Sequence, residues 1–506
     1  MGNYRINVKI CIRDDSGKDD SSSIDLASVV PEVEATNIDA VEKALLEIIR
    51  EAVRKAVGRH LEAISRKTAR ERQAATGGVI RENEKEYRVE GEIGRIRFKT
   101  HQVVVEDKVV FDTSKDIYRV LRSREWYRSE GFNEIAFMLV PDMSYRKAAA
   151  TLNRVRGEEE NGTPSRTLAN DVELEGRKVQ EAIEEISKET LKEHDFTTEG
   201  KPKGENSEYG KERESASLPR STVVAAIEEY NKDRDDREKI DDEQCEKFYE
   251  NAEKTTNISL DDVVVKKQKD TGRDAAKVKK EHREYVQNTI GHIEQGGKRY
   301  ILSSTSIVAL IPLLVAFLLH NKLMSYHLQF FVDGARSLKK AILETFSWHK
   351  SIGIILDWYH LKDKCKRELS LALRNSRLRN LLLEQILPLL WLGKTDAVIG
   401  VLRWVSKEYL KDGRTTEALI AYLERNREYI PCYALRKKLG LRNSSNKGEK
   451  SNDLAVSSRQ KHNGMSWSKV GSPALTTITV LHLNNEQKNW YRHSRIDYQM
   501  AERDAA

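Results

Sequence analysis

The spacing of apolar residues changes along this chain, and each change marks an element. Tyr4 to Ile12 reads as a strand ahead of a polar, acidic segment. From Asn37 onward Val41, Leu45, Ile48, Ile49, Ala52, Val53, Val57, Leu61 and Ile64 fall at helical spacing, which predicts a long amphipathic helix capped by Asn37 or Thr36. Between residues 89 and 112 the period shortens to two. Ile96 and Phe98 alternate with Arg95, Arg97 and Lys99, and Glu106-Asp107-Lys108 offers a turn, so a small β-hairpin unit is expected, its basic face either solvated or set against phosphates. Two helices follow, Tyr145 to Val155 capped by Ser144 and Arg166 to about Ile186 capped by Ser165, parted by Gly157 and a Glu-rich turn. Residues 195–220 are nearly free of aliphatics and read as a linker, with a charged helix from there to about Glu253.

The second half is patterned differently. Ile258-Ser259-Leu260 alternates like a strand, meets Asp261-Asp262 and continues through Val263 to Val265. His292–Glu294 and Arg299–Leu302 flank Gly296-Gly297 as a hairpin. Ile307 to Leu319 is an apolar run of 13 residues containing Pro312, too short to span a bilayer, so a buried core helix over 307–324 is expected. Gln329–Val332 is a strand that stops at Asp333-Gly334, Ala335–Phe346 carries helix formers, and Ile352–Leu356 is a further strand ending at Asp357 and His360. Strands alternating with helices imply parallel pairing, and ligands gather at the carboxyl ends of such strands. An acid there, followed by Arg336, Lys339 and Lys340, suits a metal ion and an anionic substrate; a turn-capping Asp is the plainer alternative.

Residues 362–430 are all helix, with amphipathic stretches Leu381–Trp391 and Ala397–Leu410 punctuated by Gly393 and Gly413. The order β, β, β, α, β, α, β is that of a ribonuclease H-like domain. The expected fold is therefore an α/β ribonuclease H-like core (257–361 and 432–506) interrupted by an all-α insertion (362–431). Ahead of it stand a mostly helical N-terminal region (1–88), a small β unit (89–141), a helix-turn-helix region (142–194), the linker (195–220) and the charged helix (221–256).

Composition narrows the function. The 506 residues have room for about three domains. With 33% charged residues and a mean hydropathy of −0.64, the chain reads as soluble rather than membrane-embedded. Cys11, Cys245, Cys365 and Cys432 stand far apart with no CxxC pair, so neither a zinc ribbon nor a disulfide scaffold is indicated, and the pattern fits a reducing cytoplasm; the N-terminus carries no signal-sequence pattern. Net charge is +7, compatible with an anionic partner. Between Cys432 and Lys469 nine Lys or Arg face only Glu449 and Asp453, an excess equal to that of the whole chain.

Three acids stand out, Asp261, Asp333 and Glu449, on separate elements. Two-metal phosphodiester chemistry needs several carboxylates converging from different parts of a fold, and cations around the third would hold a nucleic-acid backbone. Asp261 and Asp262 face opposite sides of a strand, so Asp262 stays the other candidate for the first acid. In the helical pair, Arg166 and Asn170 would read base edges, Arg suiting guanine and Asn adenine. Trp467 and His462, among Lys and Arg, either stack on unpaired bases or, for Trp467, pack in the core.

ISLDDVVVKKQK, FFVDGARSLKKAI, LDWYHL and LGLRNSSNKGEKSNDL…RQKHNGMSWS together resemble bacterial insertion-sequence transposases of the DDE type, in the group related to Mutator-like elements. That group carries Asp or Cys, two residues, then His after the second catalytic Asp, and an all-helical insertion before the Glu; Asp357-Trp358-Tyr359-His360 matches it. SYRKAAATLNRVRG…TPSRTLANDVELEG is similar to the helix-turn-helix region of such enzymes, and the resemblance spans roughly 90–480. It implies that Asp261, Asp333 and Glu449 bind two Mg²⁺ (or Mn²⁺) ions, with Asp357 and His360 in support. DNA contacts are expected from Arg166, Asn170, Arg336, Lys339, Arg442, Lys447, Lys450, Arg459, Lys461 and Trp467. The implied partners are double-stranded DNA, as terminal inverted repeats and target, and further copies of the chain; the implied setting is the bacterial cytoplasm, on the nucleoid, with no membrane. Two other readings use the same residues: a ribonuclease H-like nuclease or resolvase, and a non-catalytic DNA-binding protein derived from a transposase. Gly448, a poor helix former by about 1 kcal/mol against alanine, would weaken a helix bearing Glu449.

Overall fold

The computed structural model describes residues 3–12, 22–84, 86–116, 127–158, 162–204, 216–268, 284–462 and 464–502. They form two compact units, Met1–Val172 with Lys488–Ser494, and Glu173–Gln487 with Arg495–Ala506.

In the first unit β1 (Asn3–Ile12) and β2 (Ser22–Pro31) make an antiparallel hairpin. It packs on a 39-residue helix, Ile38–Thr76, whose first turn is capped by the Asn37 side chain accepting from the Asp39 amide. β2 corrects the expected polar segment and the mostly helical reading of residues 1–88. Its inward positions include Ile24 and Val30, which are buried, but Ser28 shares that face, so the apolar alternation is interrupted. Six short strands follow: β3 (Val79–Glu82), β4 (Tyr87–Gly91), β5 (Gly94–Phe98), β6 (His101–Val105), β7 (Lys108–Asp112) and β8 (Tyr127–Arg128). They form two sheets, ordered β3-β6-β7 and β5-β4-β8, where the sequence suggested one hairpin unit. The β6–β7 turn is at Glu106-Asp107, both with positive φ.

The helix Tyr145–Arg156 is capped by Ser144 and ended by Gly157 in the left-handed conformation. Its last residue, Arg156, is fully buried: it donates to the Gly91 carbonyl at 2.9 Å, pairs with Glu90 and lies over the Phe132 ring. The next helix, Ser165–Glu193, takes Ser165 as its first residue rather than its cap, with the Pro164 carbonyl accepting from Leu168, and it runs past Ile186. The Glu-rich turn at 159–161 lies outside the described residues.

In the second unit, residues 205–215 of the expected linker (195–220) also lie outside the described residues, while Phe196 at its start is buried. The expected charged helix is cut short at Asn231. Asn231 accepts from the Ile240 amide at 2.8 Å and donates to the Ile240 carbonyl at 2.9 Å, folding the chain back into short 3-10 turns.

The centre of this unit is a six-stranded mixed sheet ordered β13-β12-β9-β10-β11-β14. Its strands are β9 (Thr255–Lys266), β10 (Tyr285–Gln295), β11 (Lys298–Ser304), β12 (His327–Val332), β13 (Ile352–Leu356) and β14 (Ala501–Glu502). β9, β10 and β11 are antiparallel, and β12 runs parallel to both β9 and β13. The β10–β11 turn places Gly296 and Gly297 at positive φ, as the Gly-Gly pair predicts. One face is covered by the apolar helix Ile307–His320, whose Leu310 lies against the Leu260–Gly291 pair. The other carries the helices Asn446–Asn452 and Gly471–Leu483; Asn288 of β10 donates to the Ser472 hydroxyl there at 2.8 Å.

After β13 the chain is helical: Trp358–Ala372, Ser376–Trp391, Thr395–Arg403, Gly413–Asn426 and Tyr433–Lys438. They share an apolar core that includes Leu361, Leu369, Ile386, Leu419 and Tyr433. Among the described residues no helix is long and apolar enough to cross a membrane.

Candidate active site

Asp261 lies inside β9, which continues to Lys266, as the run Val263 to Val265 suggested. The pleat separates it from Asp262. Asp262 turns to one face and accepts from the Thr289 hydroxyl at 2.5 Å. Asp261 turns to the other, where the Asn452 amide donates to it at 2.6 Å and the Asp262 amide at 2.8 Å. Burial pushes its carboxyl up to about 6, against the pull of the Asp262 amide; the negative charge of Asp333 adds to the rise, while His360 opposes it.

Asp333 follows β12 directly and accepts from the Ala335 amide at 2.7 Å, which fixes the turn into the helix Arg336–Phe346. Gly334 between them has φ +91°, and a Cβ there would sit 2.5 Å from the Tyr422 hydroxyl, so both backbone and space require glycine. Asp333, His360, Asp363, Lys364, Arg367 and Tyr422 line a cleft of about 250 Å³.

At the end of β13, Asp357 is completely buried and caps the helix Trp358–Ala372. One carboxylate oxygen accepts from the amides of Tyr359 at 2.7 Å and His360 at 3.0 Å. The other accepts from the hydroxyl of Ser445 at 2.9 Å and from the Ser445 amide. Ser445 opens the turn bearing Glu449, whose amide donates back to the Ser445 carbonyl at 2.9 Å. The His360 ring meets Glu449 at 3.1 Å. Asp357, His360 and Glu449 offer ligand atoms within 4.8 Å of one another, but all four bonds to Asp357 are already made by protein donors. Asp357 therefore acts as a clasp between two helix starts, and neither Asp261 nor Asp333 belongs to this group of three.

Gly448 also has a structural reason. A Cβ there would stand 2.6 Å from the Ser259 Cβ, so glycine is what lets the Glu449 helix lie on β9. The next turn is pinned as well: Ser451 bonds to His292 at 2.9 Å. Behind it, burial of Glu294 is outweighed by the His292 ring, Lys447 and Arg442, which bring its carboxyl to about 2.

The expected DNA contacts divide. Arg166 and Asn170, in the first unit, are exposed, as are Arg336, Lys450 and Lys461 in the second. Lys339 donates to Asn426 and lies over the Tyr429 ring. Arg442 and Lys447 both pair with Glu294. Arg459 and Trp467 are corrected outright: each is only 6% exposed, they stack on one another, and the Trp467 indole donates to the Gln460 carbonyl at 3.0 Å. The plainer core reading of Trp467 is the one the structure shows. The basic segment is matched by distant acids, Arg436 with Glu250 and Lys438 with Glu229, as well as Glu294. Sequence reasoning passed over Asn452 and Ser445; Asn452, three residues after Glu449 on the same helical face, carried a readable signal.

No protein-family model matches the chain, and no curated protein matches it. Among solved structures, the Drosophila P element transposase strand transfer complex is similar over 76% of this chain and 85% of that one, at 10% identity and a TM-score of 0.22. A TM-score of that size does not establish a shared fold.

Proposed function

We propose that the chain is a DDE-type transposase of the insertion-sequence kind: it binds the ends of its element, cleaves DNA and joins the ends to a target. One observation carries this reading. Asp261 of β9 feels the charges of Asp333 and His360, Asp333 and His360 line one cleft, and the His360 ring meets Glu449, beyond the helical block, at 3.1 Å. The strand order and mixed directions of the sheet support a ribonuclease H-like core, and the helices between β13 and Glu449 support an all-α insertion. The paired helices Tyr145–Arg156 and Ser165–Glu193, with Arg166 and Asn170 exposed, support a DNA-reading unit.

The fit to a divalent cation rests on charge. Burial beside other acids raises the Asp261 carboxyl to about 6, a strain that a bound cation would relieve. Asp261, Asp333 and Glu449 would hold a pair of Mg²⁺ or Mn²⁺ ions, which supply activation of a water or a DNA 3′-hydroxyl and stabilisation of the leaving oxygen. The rest is work for the chain. His360 orients the Glu449 carboxylate, Asp357 and Ser445 fix both of their helix starts, and Asn452 orients Asp261. Lys364 and Arg367 line the cleft where a phosphodiester would meet the acids.

The test uses purified full-length protein, Mg²⁺ or Mn²⁺, and labelled duplexes carrying the sequences that flank the coding segment. Nicking followed by strand-transfer products is expected, and Asp333→Ala should abolish both while leaving binding intact. Nicking without joining would favour a nuclease or resolvase, and binding alone a non-catalytic DNA binder.

A further inference from the structure

A second depression adjoins the acidic cleft. It has a volume of about 390 Å³ and runs between the helix Arg336–Phe346 and the end of the helix Gly413–Asn426. Its charged lining is Arg336, Lys339, Lys340 and Arg425 against the single acid Glu344, an excess of 4 − 1 = 3 positive charges. Gly334 lines both this groove and the cleft, so the two are continuous around the turn that carries Asp333. Past the acids, Lys364 and Arg367 line the cleft in turn. Burial lowers the Lys339 ammonium, and the charges of Arg425 and Arg336 lower it further, which marks cations gathered with too few acids nearby. Tyr429 stands half-buried in the groove, its ring beneath Lys339.

Resting on the reading above, we propose that this groove carries the sugar–phosphate backbone of one DNA strand to the acidic cleft, with Arg336, Lys340 and Arg425 contacting successive phosphates. A small anion needs only one or two such cations. An open channel with cations on both walls, leading to a cluster of acids, fits a chain of phosphates whose one member is presented for reaction. The helical block thereby contributes half of the strand's path through Arg425, a residue 92 positions after Asp333 (425 − 333).

The experiment measures binding of the full-length chain to a fluorescein-labelled 30-nucleotide duplex of arbitrary sequence, by anisotropy, from 50 to 250 mM NaCl without divalent metal. Each phosphate contact contributes roughly 0.7–0.9 to the slope of log K against log salt. Arg336→Ala/Lys340→Ala/Arg425→Ala should therefore lower the slope by about 2, with a loss of affinity on the order of a hundredfold at 0.1 M salt. Lys203→Ala/Lys232→Ala/Arg237→Ala, exposed cations outside the groove and cleft, should leave the slope unchanged. Circular dichroism and the unfolding midpoint check that both variants fold. An unchanged slope in the groove variant overturns the proposal, and so does loss of poly-glutamate binding with DNA binding intact, which would assign the groove to an acidic protein. The transposase reading fails separately: the slope shift without metal-dependent nicking by the wild type keeps the groove and removes the enzyme.

Discussion

Replacing Asp357 by alanine removes a carboxylate that is completely buried and engaged by four donors. Loss of the cap over Tyr359 and His360 should cost about 1 kcal/mol. The amide and hydroxyl of Ser445 lose their acceptor in a partly buried position, which adds roughly 1–3 kcal/mol. The sum predicts destabilisation of about 3 kcal/mol, measurable as a lower urea midpoint at unchanged slope. Tryptophan fluorescence suits the assay, because Trp358 and Trp391 pack 4.8 Å apart beside the clasp. A merely structural loss would end there. The clasp also places the Ser445 turn and the His360 backbone, so Mn²⁺ affinity should fall by about tenfold in molecules that are still folded, a size typical of residues that support metal ligands. Asp357→Asn should behave alike, since its amide presents hydrogens to existing donors. A loss under about 1 kcal/mol with Mn²⁺ affinity unchanged would refute the reasoning.

Gly448→Ala places a methyl 2.6 Å from the Ser259 Cβ, so despite a gain in helix propensity it should destabilise by roughly 1–3 kcal/mol, and Ser259→Gly should restore most of that in thermal melts. Glu294 has a folded value of about 2, below its ordinary 4.5, so its contribution to stability is full above about pH 4.5 and lost as pH falls towards 2; Glu294→Gln should flatten the urea midpoint across that window, and an unchanged pH profile would contradict it. Arg156→Met in the first unit strips Glu90 of a buried partner and should cost about 3–5 kcal/mol by calorimetry, a loss under 1 kcal/mol counting against the pair's structural role.

What could be read from the sequence follows from how local the determinants are. β12, β13 and the β10–β11 hairpin were legible because apolar runs there stop at Asp333-Gly334, Asp357 and Gly296-Gly297, where the backbone itself turns. The Asn37 cap and the apolar helix at Ile307–His320 were legible for the same reason. Features set by distant partners were not. Arg442, Lys447 and Arg436 looked like free charge until Glu294 and Glu250 were brought beside them. Trp467 looked like a stacking residue until Gln460 and Arg459 enclosed it. The acids of the candidate site were visible as residues, whereas the clasp that sets the turn bearing Glu449 depends on Ser445 meeting Asp357 across 88 positions (445 − 357).

The most direct measurement is a Mn²⁺ titration of the full-length chain followed by electron paramagnetic resonance, comparing wild type with Asp261→Asn, Asp333→Asn and Glu449→Gln. Saturable binding by the wild type, weakened by each of the three substitutions and left intact by Asp262→Asn, is the predicted result. Binding that is absent in the wild type, or the same in all five proteins, would contradict a cation centre built from these three carboxylates.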